Sequence, residues 1–415
     1  MTPEIKQRIE KMCRGEVPEG YKKGKLGIVP EEWNETSFST LFTSTSDYTD
    51  DLDTYPLYSL TIEDGITPKT ERYERSHLVK KEDSYKIVRP NDYAYNPMNL
   101  RFGAVARHKG NMPVAVSGYY DIFTTVYESD LPFMDSFLTC GPMITYYNRV
   151  STGSLVEKQR VHFSQFLEFV LPLPSINERA KIAAILTTQD KVIELKEKRL
   201  TEKQRQKKYL MQQLLTGQKR LPGFSGAWKT DHLGKLFFER KETNCENLEM
   251  LAITGTQGII PRKELDLKDN SSEDKSKYLR VCVGDIGYNT MRMWQGVSAY
   301  SNYEGIVSPA YTVLKPSLSI NAKYFAYLFK MPEIIFLFYR FSQGLVDDTR
   351  NLKYKNFKKI KVFYPPDIEE QTAIAEVLST ADHEIDLLQQ DIEQEKQKKK
   401  ALMQLLLTGI VRVKT

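Results

Sequence analysis

The chain has 415 residues, which at roughly 100–200 residues per domain predicts about two to four domains. Hydrophobic residues make up 40% and charged residues 27% of the sequence, an ordinary globular composition that excludes a wholly disordered chain. With 59 Lys and Arg against 54 Asp and Glu, the net charge of +5 is compatible with a nucleic-acid partner but is too small to establish one.

Cysteine usage and hydropathy narrow the class of protein further. The four cysteines are scattered without a C-x-x-C pair, so we expect no structural zinc site and a reduced, cytoplasmic protein. The first residues read as a charged helix without the apolar core of a signal peptide. The most apolar stretch, 324–341, is interrupted by Lys330, Pro332, Glu333 and Arg340, and predicts a pair of core helices with no membrane span.

The sequence repeats itself. Residues 174–183 return as 366–375, and 210–217 return as 402–409, both at an offset of 192. Weaker matches at offsets of 191 to 195 follow in order through the segments before these helices, including the Tyr-Asn-x-Met sequence at 95–98 and 288–291. An ordered series of matches with a slowly drifting offset indicates a duplication with small loop insertions.

Taken in chain order, the repeat divides the sequence into an N-terminal helix (1–20), a globular half (21–174), a central helix (175–217), a second globular half (218–366) and a C-terminal helix (367–415). Short β-rich runs alternate with Gly, Asn and Pro turns in both globular halves, which predicts mixed α and β structure. Each long helix is expected to start after a proline and to stop at a glycine, Gly217 or Gly409.

Both long helices carry the apolar seam of a coiled coil over about five heptads. At about 1.5 Å per residue, some 40 residues would give a rod of roughly 60 Å. Lys203 and Lys207 also fall on the seam of the central helix, where an isolated helix would have a poor core. The predicted apolar seam and partner-contact positions are Ile182, Leu186, Ile193, Leu200, Leu210, Leu214, Ile374, Leu378, Ile385, Leu388, Ile392, Leu402 and Leu406.

The two helices have opposite charge. Residues 178–220 contain 12 Lys and Arg against 5 Asp and Glu, a net charge of +7, whereas 367–415 contain 6 against 10, a net charge of −4. Two helices with the same seam and opposite sign favour an intramolecular pair over two independent solvated helices. The sequence alone leaves open whether the pair is parallel or antiparallel.

No catalytic motif is found along the chain. The sequence has no P-loop, glycine-rich dinucleotide turn, G-x-S-x-G or H-E-x-x-H, and its five histidines are isolated. Asn96-Pro97-Met98 is similar to the Asn-Pro-Pro-aromatic loop of amino-methyltransferases, but the copy at 289–291 lacks the proline. We therefore expect no enzymatic activity, metal or cofactor in this chain itself.

The sequence has two unlike globular halves separated by a repeated helix with the pattern Pro-x-Ile-x-Glu-x-x-x-Ile-Ala-x-x-Leu. Over essentially the whole chain, this arrangement resembles the specificity subunit of type I restriction–modification enzymes. The stretches 169–174 and 361–366 lead into the helices as in that family. The resemblance implies an α+β chain with two mixed α/β target recognition domains, joined and spaced by two long helices in an antiparallel coiled coil, an internal pseudo-twofold repeat.

The resemblance also implies the partners. Double-stranded DNA would be read by the two domains, two modification (methyltransferase) subunits would dock beside the helices, and restriction/translocase subunits would join them. S-adenosylmethionine, ATP and Mg²⁺ would belong to those partners, and no membrane would be involved. Because the two halves differ in sequence, an asymmetric bipartite target is expected, with the helices as a ruler between half-sites about one DNA turn apart.

Direct readout of bases needs Arg or Lys for guanine and Asn or Gln for adenine, with Ser, Thr and aromatic residues assisting. Loops after the repeated motifs are the expected place, although each such residue could instead serve the framework. The predicted DNA-binding residues are Lys69, Tyr95, Asn96, Asn99, Arg101, Arg149, Ser151 and Thr152 in the first half, and Arg262, Asn289, Arg292, Met293, Trp294, Gln343 and Arg350 in the second. Lys358, Lys359 and Lys361 are predicted phosphate contacts.

Two other classes of function compete with this prediction. A coiled-coil scaffold or regulator that binds proteins without reading DNA is compatible with the paired helices alone. A self-sufficient methyltransferase is disfavoured by the missing motifs. Because the globular halves are nearly neutral, we expect weak DNA binding by the isolated chain and a large contribution from the partner subunits.

Overall fold

This computed structural model describes residues 2–45, 47–69, 85–153, 159–255, 257–265, 274–344, 346 and 349–413. The chain divides into two compact units, the first formed by 1–196 with 391–415 and the second by 197–390. Each unit contains one globular domain, called here the first domain (21–174) and the second domain (218–366), together with part of each long helix.

The elements before the second domain begin with a short amphipathic helix and end with the first long helix. In chain order they are α1 (Pro3–Cys13), β1 (Tyr21–Gly24), β2 (Gly27–Pro30), β3 (Asn34–Ser37), β4 (Phe42–Ser44), β5 (Tyr48–Thr49), β6 (Tyr58–Thr61), β7 (Gly65–Pro68), β8 (Tyr85–Val88), β9 (Tyr93–Tyr95), β10 (Val105–Arg107), β11 (Val114–Ser117), β12 (Asp121–Thr125), α2 (Leu131–Phe137), α3 (Gly141–Val150), α4 (Phe163–Leu167), β13 (Val170–Leu173) and α5 (Ile176–Leu215).

The second domain repeats this series and leads into the second long helix. Its elements are β14 (Lys229–His232), α6 (Leu233–Leu236), β15 (Phe237–Arg240), β16 (Leu251–Ile253), β17 (Ile259–Pro261), β18 (Leu279–Val281), β19 (Ile286–Asn289), β20 (Ser298–Tyr300), β21 (Gly305–Val307), β22 (Tyr311–Pro316), α7 (Ala322–Leu328), α8 (Pro332–Phe341), α9 (Tyr354–Phe357), β23 (Lys361–Tyr364) and α10 (Ile368–Leu407).

The two domains share most of their strand topology. The first contains a four-stranded antiparallel sheet in the order β10-β9-β12-β4, and the second contains its counterpart in the order β20-β19-β22-β15. The smaller pairs correspond as well, β13–β3 with β23–β14 and β6–β7 with β16–β17. The duplication predicted from the sequence is therefore present in the fold.

Each domain shares its hydrophobic core with the ends of the long helices. In the first unit, Ile182 and Leu186 of α5 and Leu406 of α10 pack into a core of phenylalanines and tyrosines. In the second unit, Leu214 of α5 and Leu378 of α10 join an equivalent core. Because burying each such side chain contributes about 1.5–3 kcal/mol, the helices are integral to the stability of both units.

Both long helices begin shortly after a proline and end shortly before a glycine. The first turn of α5 is capped by Ser175, whose Oγ accepts a hydrogen bond from the Glu178 amide at 3.2 Å. In α10 the carboxylate of Asp367 accepts from the Glu369 amide at 2.9 Å. Beyond the C-terminal ends, Gly217 and Gly409 have φ of +74° and +70°, the left-handed conformation that stops a helix.

Ion pairs join the basic helix to the acidic one and show their direction. In the first unit Lys196 lies 2.8 Å from Asp391, and Lys399 lies 2.5 Å from Asp190. In the second unit Lys203 lies 2.6 Å from Glu384, and the seam residue Lys207 pairs with Asp382. Residue numbers rise along one helix as they fall along the other, so the pairing is antiparallel in both units.

The predicted seam positions lie inside these helix pairs. Among them Ile182, Leu186, Ile193, Leu214, Ile374, Leu378, Ile385, Ile392 and Leu406 are buried, and Leu200, Leu210, Leu388 and Leu402 are half-buried. Polar contacts alternate with these apolar residues along the seam. For example, Gln189 Nε2 donates to Glu395 Oε2 at 2.6 Å. The predicted fold class, with two mixed α/β domains and a paired set of long helices, is confirmed.

Candidate nucleic-acid interface

A tight turn follows the central strand β9 of the first domain. The side-chain oxygen of Asn96 accepts a hydrogen bond from the Met98 amide at 3.0 Å, which directs the chain into a 3₁₀ turn over Leu100–Phe102. Gly103 ends that turn with φ of +94°, a conformation that favours glycine. The turn therefore places Asn99 on the surface at the end of a buried strand.

The second domain forms the same turn after β19. Asn289 accepts from the Met291 amide, again at 3.0 Å, a 3₁₀ turn covers Met293–Gln295, and Gly296 ends it with φ of +80°. Here the exposed position equivalent to Asn99 is Arg292. One backbone framework thus presents different side chains in the two domains.

Two predicted base contacts belong to this framework. Tyr95 is fully buried, and its hydroxyl donates to the Val161 carbonyl oxygen at 3.3 Å, while burial raises its pKa. Met293 is also fully buried, in the core of the second unit. The structure therefore corrects the assignment of both residues as DNA contacts, because neither side chain reaches the surface.

Several predicted residues of the first domain meet around its turn. The Arg101 guanidinium donates to Gln159 Oε1 at 3.1 Å and lies over the exposed Phe102 ring. Asn148 of α3 donates to the Arg101 carbonyl oxygen at 2.6 Å. Next to that helix end, the half-buried Ser151 donates to the Asn148 carbonyl oxygen at 2.9 Å.

A short bridge borders this surface. The backbone of Thr152 pairs with that of Arg160 in both directions at 3.0 Å. The surface formed by the turn, the end of α3 and this bridge is called here the first reading surface. It carries Asn99, Arg101, Ser151 and Thr152 of the predicted residues.

The second domain has an equivalent surface, called here the second reading surface. It is formed by the turn with Arg292 and Trp294, the end of α8, and the paired backbones of Gln343 and Asn351. The Arg350 guanidinium lies 4.1 Å above the Tyr339 ring and donates to its hydroxyl at 2.9 Å. Four predicted residues, Arg292, Trp294, Gln343 and Arg350, lie on this surface.

The structure adds aromatic residues that sequence reasoning missed. Tyr339 contacts Trp294 edge-on, with ring centres 6.2 Å apart. Phe336 is 57% exposed, with the Arg340 guanidinium 6.0 Å from its ring centre. The prediction of a pair of core helices is correct for α7. In α8 it is correct only for the face that carries Ile334 and Phe338, because the opposite face is exposed.

A buried lysine supports the turn of the second domain. Lys330 Nζ donates to the carbonyl oxygens of Gly296 at 2.8 Å and Ser298 at 2.6 Å, directly after the turn. Burial, together with the nearby charge of Lys207, lowers the pKa of Lys330 to about 8. The turn that carries Arg292 and Trp294 is thereby tied to the helical layer beneath it.

The remaining predicted residues lie on other segments. Lys69 is exposed after β7, and Arg149 donates to the Lys25 carbonyl oxygen at 2.6 Å. Arg262 and Asn289 line a cavity of about 220 Å³. The predicted phosphate contacts, which are all exposed and flank the start of β23, are Lys358, Lys359 and Lys361.

Comparison with known proteins gives a family model and a relative that match this chain. The family model described as the type I restriction modification DNA specificity domain matches residues 256–397. A protein of Methanocaldococcus jannaschii assigned as the type I restriction enzyme MjaX specificity subunit is 25% identical, with 96% of this chain and 98% of that protein covered. Nowhere in the described part of the chain is a helix long and apolar enough to span a membrane.

Solved structures show the same fold. The S subunit of the type I restriction–modification system from M. genitalium is 14% identical, with 90% of this chain and 96% of that chain covered, and a TM-score of 0.54. A chain from a structure on complex assembly and conformational transition of the type I R-M system has the same identity and TM-score, with 92% and 99% covered. The predicted resemblance is confirmed: this chain is similar, over nearly its whole length, to the specificity subunits of type I restriction–modification enzymes.

Proposed function

We propose that this chain is the DNA specificity subunit of a type I restriction–modification enzyme, and that each of its two domains reads one half of a bipartite target. The matched family model and the M. jannaschii relative support this function. The observation that carries it is the repeated turn, which has the same geometry in both domains but exposes Asn99 in one and Arg292 in the other.

The chemistry of these positions fits base recognition. An exposed asparagine can pair with adenine and an exposed arginine with guanine in the major groove. The half-buried Arg101 and Arg350 are held by neighbouring side chains, which lowers the entropy lost when a base contact forms. Since the two surfaces differ, the target is asymmetric and its halves have different sequences.

The chemical steps belong to other subunits in this proposal. The chain itself is non-catalytic; modification subunits dock against the paired helices, and restriction/translocase subunits join them in the cytoplasm. Those partners would bind S-adenosylmethionine, ATP and Mg²⁺. The role of the helices as a spacer between half-sites stays a prediction from the sequence, as does a phosphate-contact role for Lys358, Lys359 and Lys361.

Two substitutions at equivalent positions, one in each domain, test this function, and each variant serves as the control for the other. The chain is co-expressed with its modification subunits, and the methylated sequence in the host genome is determined. Asn99→Ala should relax the sequence requirement in one half-site and Arg292→Ala in the other, each by about 1–3 kcal/mol, or roughly 5- to 150-fold in discrimination.

The competing scaffold function predicts a different result. A protein that binds the partners without reading DNA would leave the methylated sequence unchanged in both variants. Equal loss of methylation at every sequence would likewise contradict base reading, because it would indicate a role in general affinity. Binding of each variant to the modification subunits, measured by size-exclusion chromatography, confirms that the complex still assembles.

A further inference from the structure

The two reading surfaces differ in chemical character. Helices α3 and α8 each have 10 residues, begin with a proline at the first turn and end before a serine, so their positions can be compared directly. Where α8 exposes Phe336 and Tyr339, α3 has Thr145 and Asn148. The turns differ at two positions. Trp294 stands where the first domain has Arg101, and Gln295 stands where the first domain has the exposed Phe102, whose ring lies under the Arg101 guanidinium.

The aromatic residues of the second reading surface are held in place. Nε1 is the only polar atom of the Trp294 side chain, and it donates a hydrogen bond within the protein, to the Met291 carbonyl oxygen at 2.9 Å. The Tyr339 ring is fixed between the Arg350 guanidinium on its face and the Trp294 edge. The exposed parts of these rings therefore offer apolar contact more than new hydrogen bonds.

Three arginines lie beside this apolar surface. Arg292 and Arg340 are exposed beside it, and Arg350 stacks on Tyr339. Three arginines favour an anionic partner, and a DNA duplex presents phosphates on both sides of each groove. The surface thus fits a polyanion with apolar groups at its centre.

Base edges in the major groove carry one apolar group, the 5-methyl group of thymine. A helix fits that groove, and contact between phenylalanine and this methyl group is an established way to read thymine. Building on the function proposed above, we propose that the second domain reads thymine 5-methyl groups through Phe336, supported by Trp294 and Tyr339. The first domain reads its half-site by hydrogen bonds from Asn99 and Arg101.

Deoxyuridine substitution tests this directly, because uracil lacks the methyl group and keeps the hydrogen-bonding edges of thymine. The probe is a duplex with the methylated sequence found above, and Asn99→Ala and Arg292→Ala assign each half-site to a domain. With the assembled methyltransferase complex, we expect binding to weaken about three- to fivefold for each contacted methyl group lost from the second half-site, as for one buried methyl group. Replacing thymines in the first half-site should have no comparable effect.

Two variants complete the test. Phe336→Ala should bind the thymine duplex more weakly and no longer distinguish it from the deoxyuridine duplex. Tyr339→Phe, which keeps the ring, should still distinguish them. Because Phe336 is 57% exposed, its replacement should leave folding and assembly unchanged, which circular dichroism and size-exclusion chromatography would verify.

Three outcomes would overturn the inference: a second half-site without thymine, equal binding of both duplexes by the wild type, or discrimination that persists in Phe336→Ala. If the Phe336 ring instead acted as a wedge between base steps, the wild type would bind both duplexes equally and would bend them. Each of these differs from failure of the proposed function, in which no half-site changes in Asn99→Ala or Arg292→Ala.

Discussion

Replacing Glu370 by glutamine should destabilise the second unit, because its carboxylate is the buried half of a bidentate ion pair. Arg220, three residues after the glycine that ends α5, donates from Nε at 2.5 Å and from Nη2 at 2.7 Å to this carboxylate. The Glu370 side chain is 2% exposed and that of Arg220 is 25% exposed. The contact joins the end of one long helix to the first turn of the other.

The size of the expected loss of stability depends on the contacts that Arg220 keeps after the substitution. Removing one partner of a fully buried ion pair costs about 3–5 kcal/mol. Arg220 keeps part of its hydration, a hydrogen bond to the Gly226 carbonyl oxygen at 2.9 Å, and its place over the Trp228 ring. We therefore expect a lower cost of about 2–3 kcal/mol, or a decrease in Tm of roughly 5–10 °C for a unit of this size.

The first unit provides a matched control. There Arg412, three residues after the glycine that ends α10, donates to Glu178 at 2.6 and 2.9 Å. Urea denaturation followed by tryptophan fluorescence reports on Trp33 in the first unit and on Trp228 and Trp294 in the second. Glu370→Gln should shift the transition of the second unit, and Glu178→Gln that of the first.

A double substitution distinguishes the lost pair from other effects. Replacing Arg220 and Glu370 together by methionine removes the unpaired charge and should recover most of the lost stability. The reasoning would be refuted if Glu370→Gln changed the free energy of unfolding by less than about 0.5 kcal/mol, or if the double variant were less stable than the single one.

Two further predictions concern the turn of the second domain. Gly296→Ala should destabilise the protein by about 1–3 kcal/mol, because φ is +80° and the added carbon would lie 2.7 Å from Ile335 Cδ1. As a control, Gly103→Ala places the added carbon 3.4 Å from its nearest neighbour, so it should lower the melting temperature less when both variants are melted in parallel. Above pH 8 the folded protein releases the Lys330 proton while the unfolded chain still binds it, so stability should rise towards pH 10, by up to about 1.4 kcal/mol per pH unit. Urea titrations showing the same pH dependence in Lys330→Met would contradict this assignment.

The long helices and their pairing were predictable from the sequence. Their seam has a strong period, their ends carry proline and glycine, and the opposite charges of α5 and α10 already favoured the pair. The antiparallel direction needed tertiary information, such as the contact between Lys203 and Glu384. The ion pair of Arg220 with Glu370 was missed, although both residues recur at the offset of 192 in Arg412 and Glu178.

The reading surfaces were predictable only in part. The repeated Asn-x-Met sequence located both turns, but the burial of Tyr95 and Met293 depends on which face of the strand or turn meets the core. Phe336 and Tyr339 lie in the most apolar stretch of the chain, where composition predicts burial. Their exposure follows from the packing of α8 through Ile334 and Phe338, which a local pattern does not reveal.

The division between constant and variable residues explains how one fold can serve two readings. Side chains that recur between the domains hold the framework: Asn96 and Asn289 form the turns, Glu178 and Glu370 fix the helix starts, and Gly103 and Gly296 end the turns. Asn99 and Arg292 in the turns, and Asn148 and Tyr339 in α3 and α8, differ at equivalent positions and lie at the surface. Because surface substitutions away from such framework contacts usually change stability by no more than about 0.5 kcal/mol, the reading surfaces can change without loss of the fold.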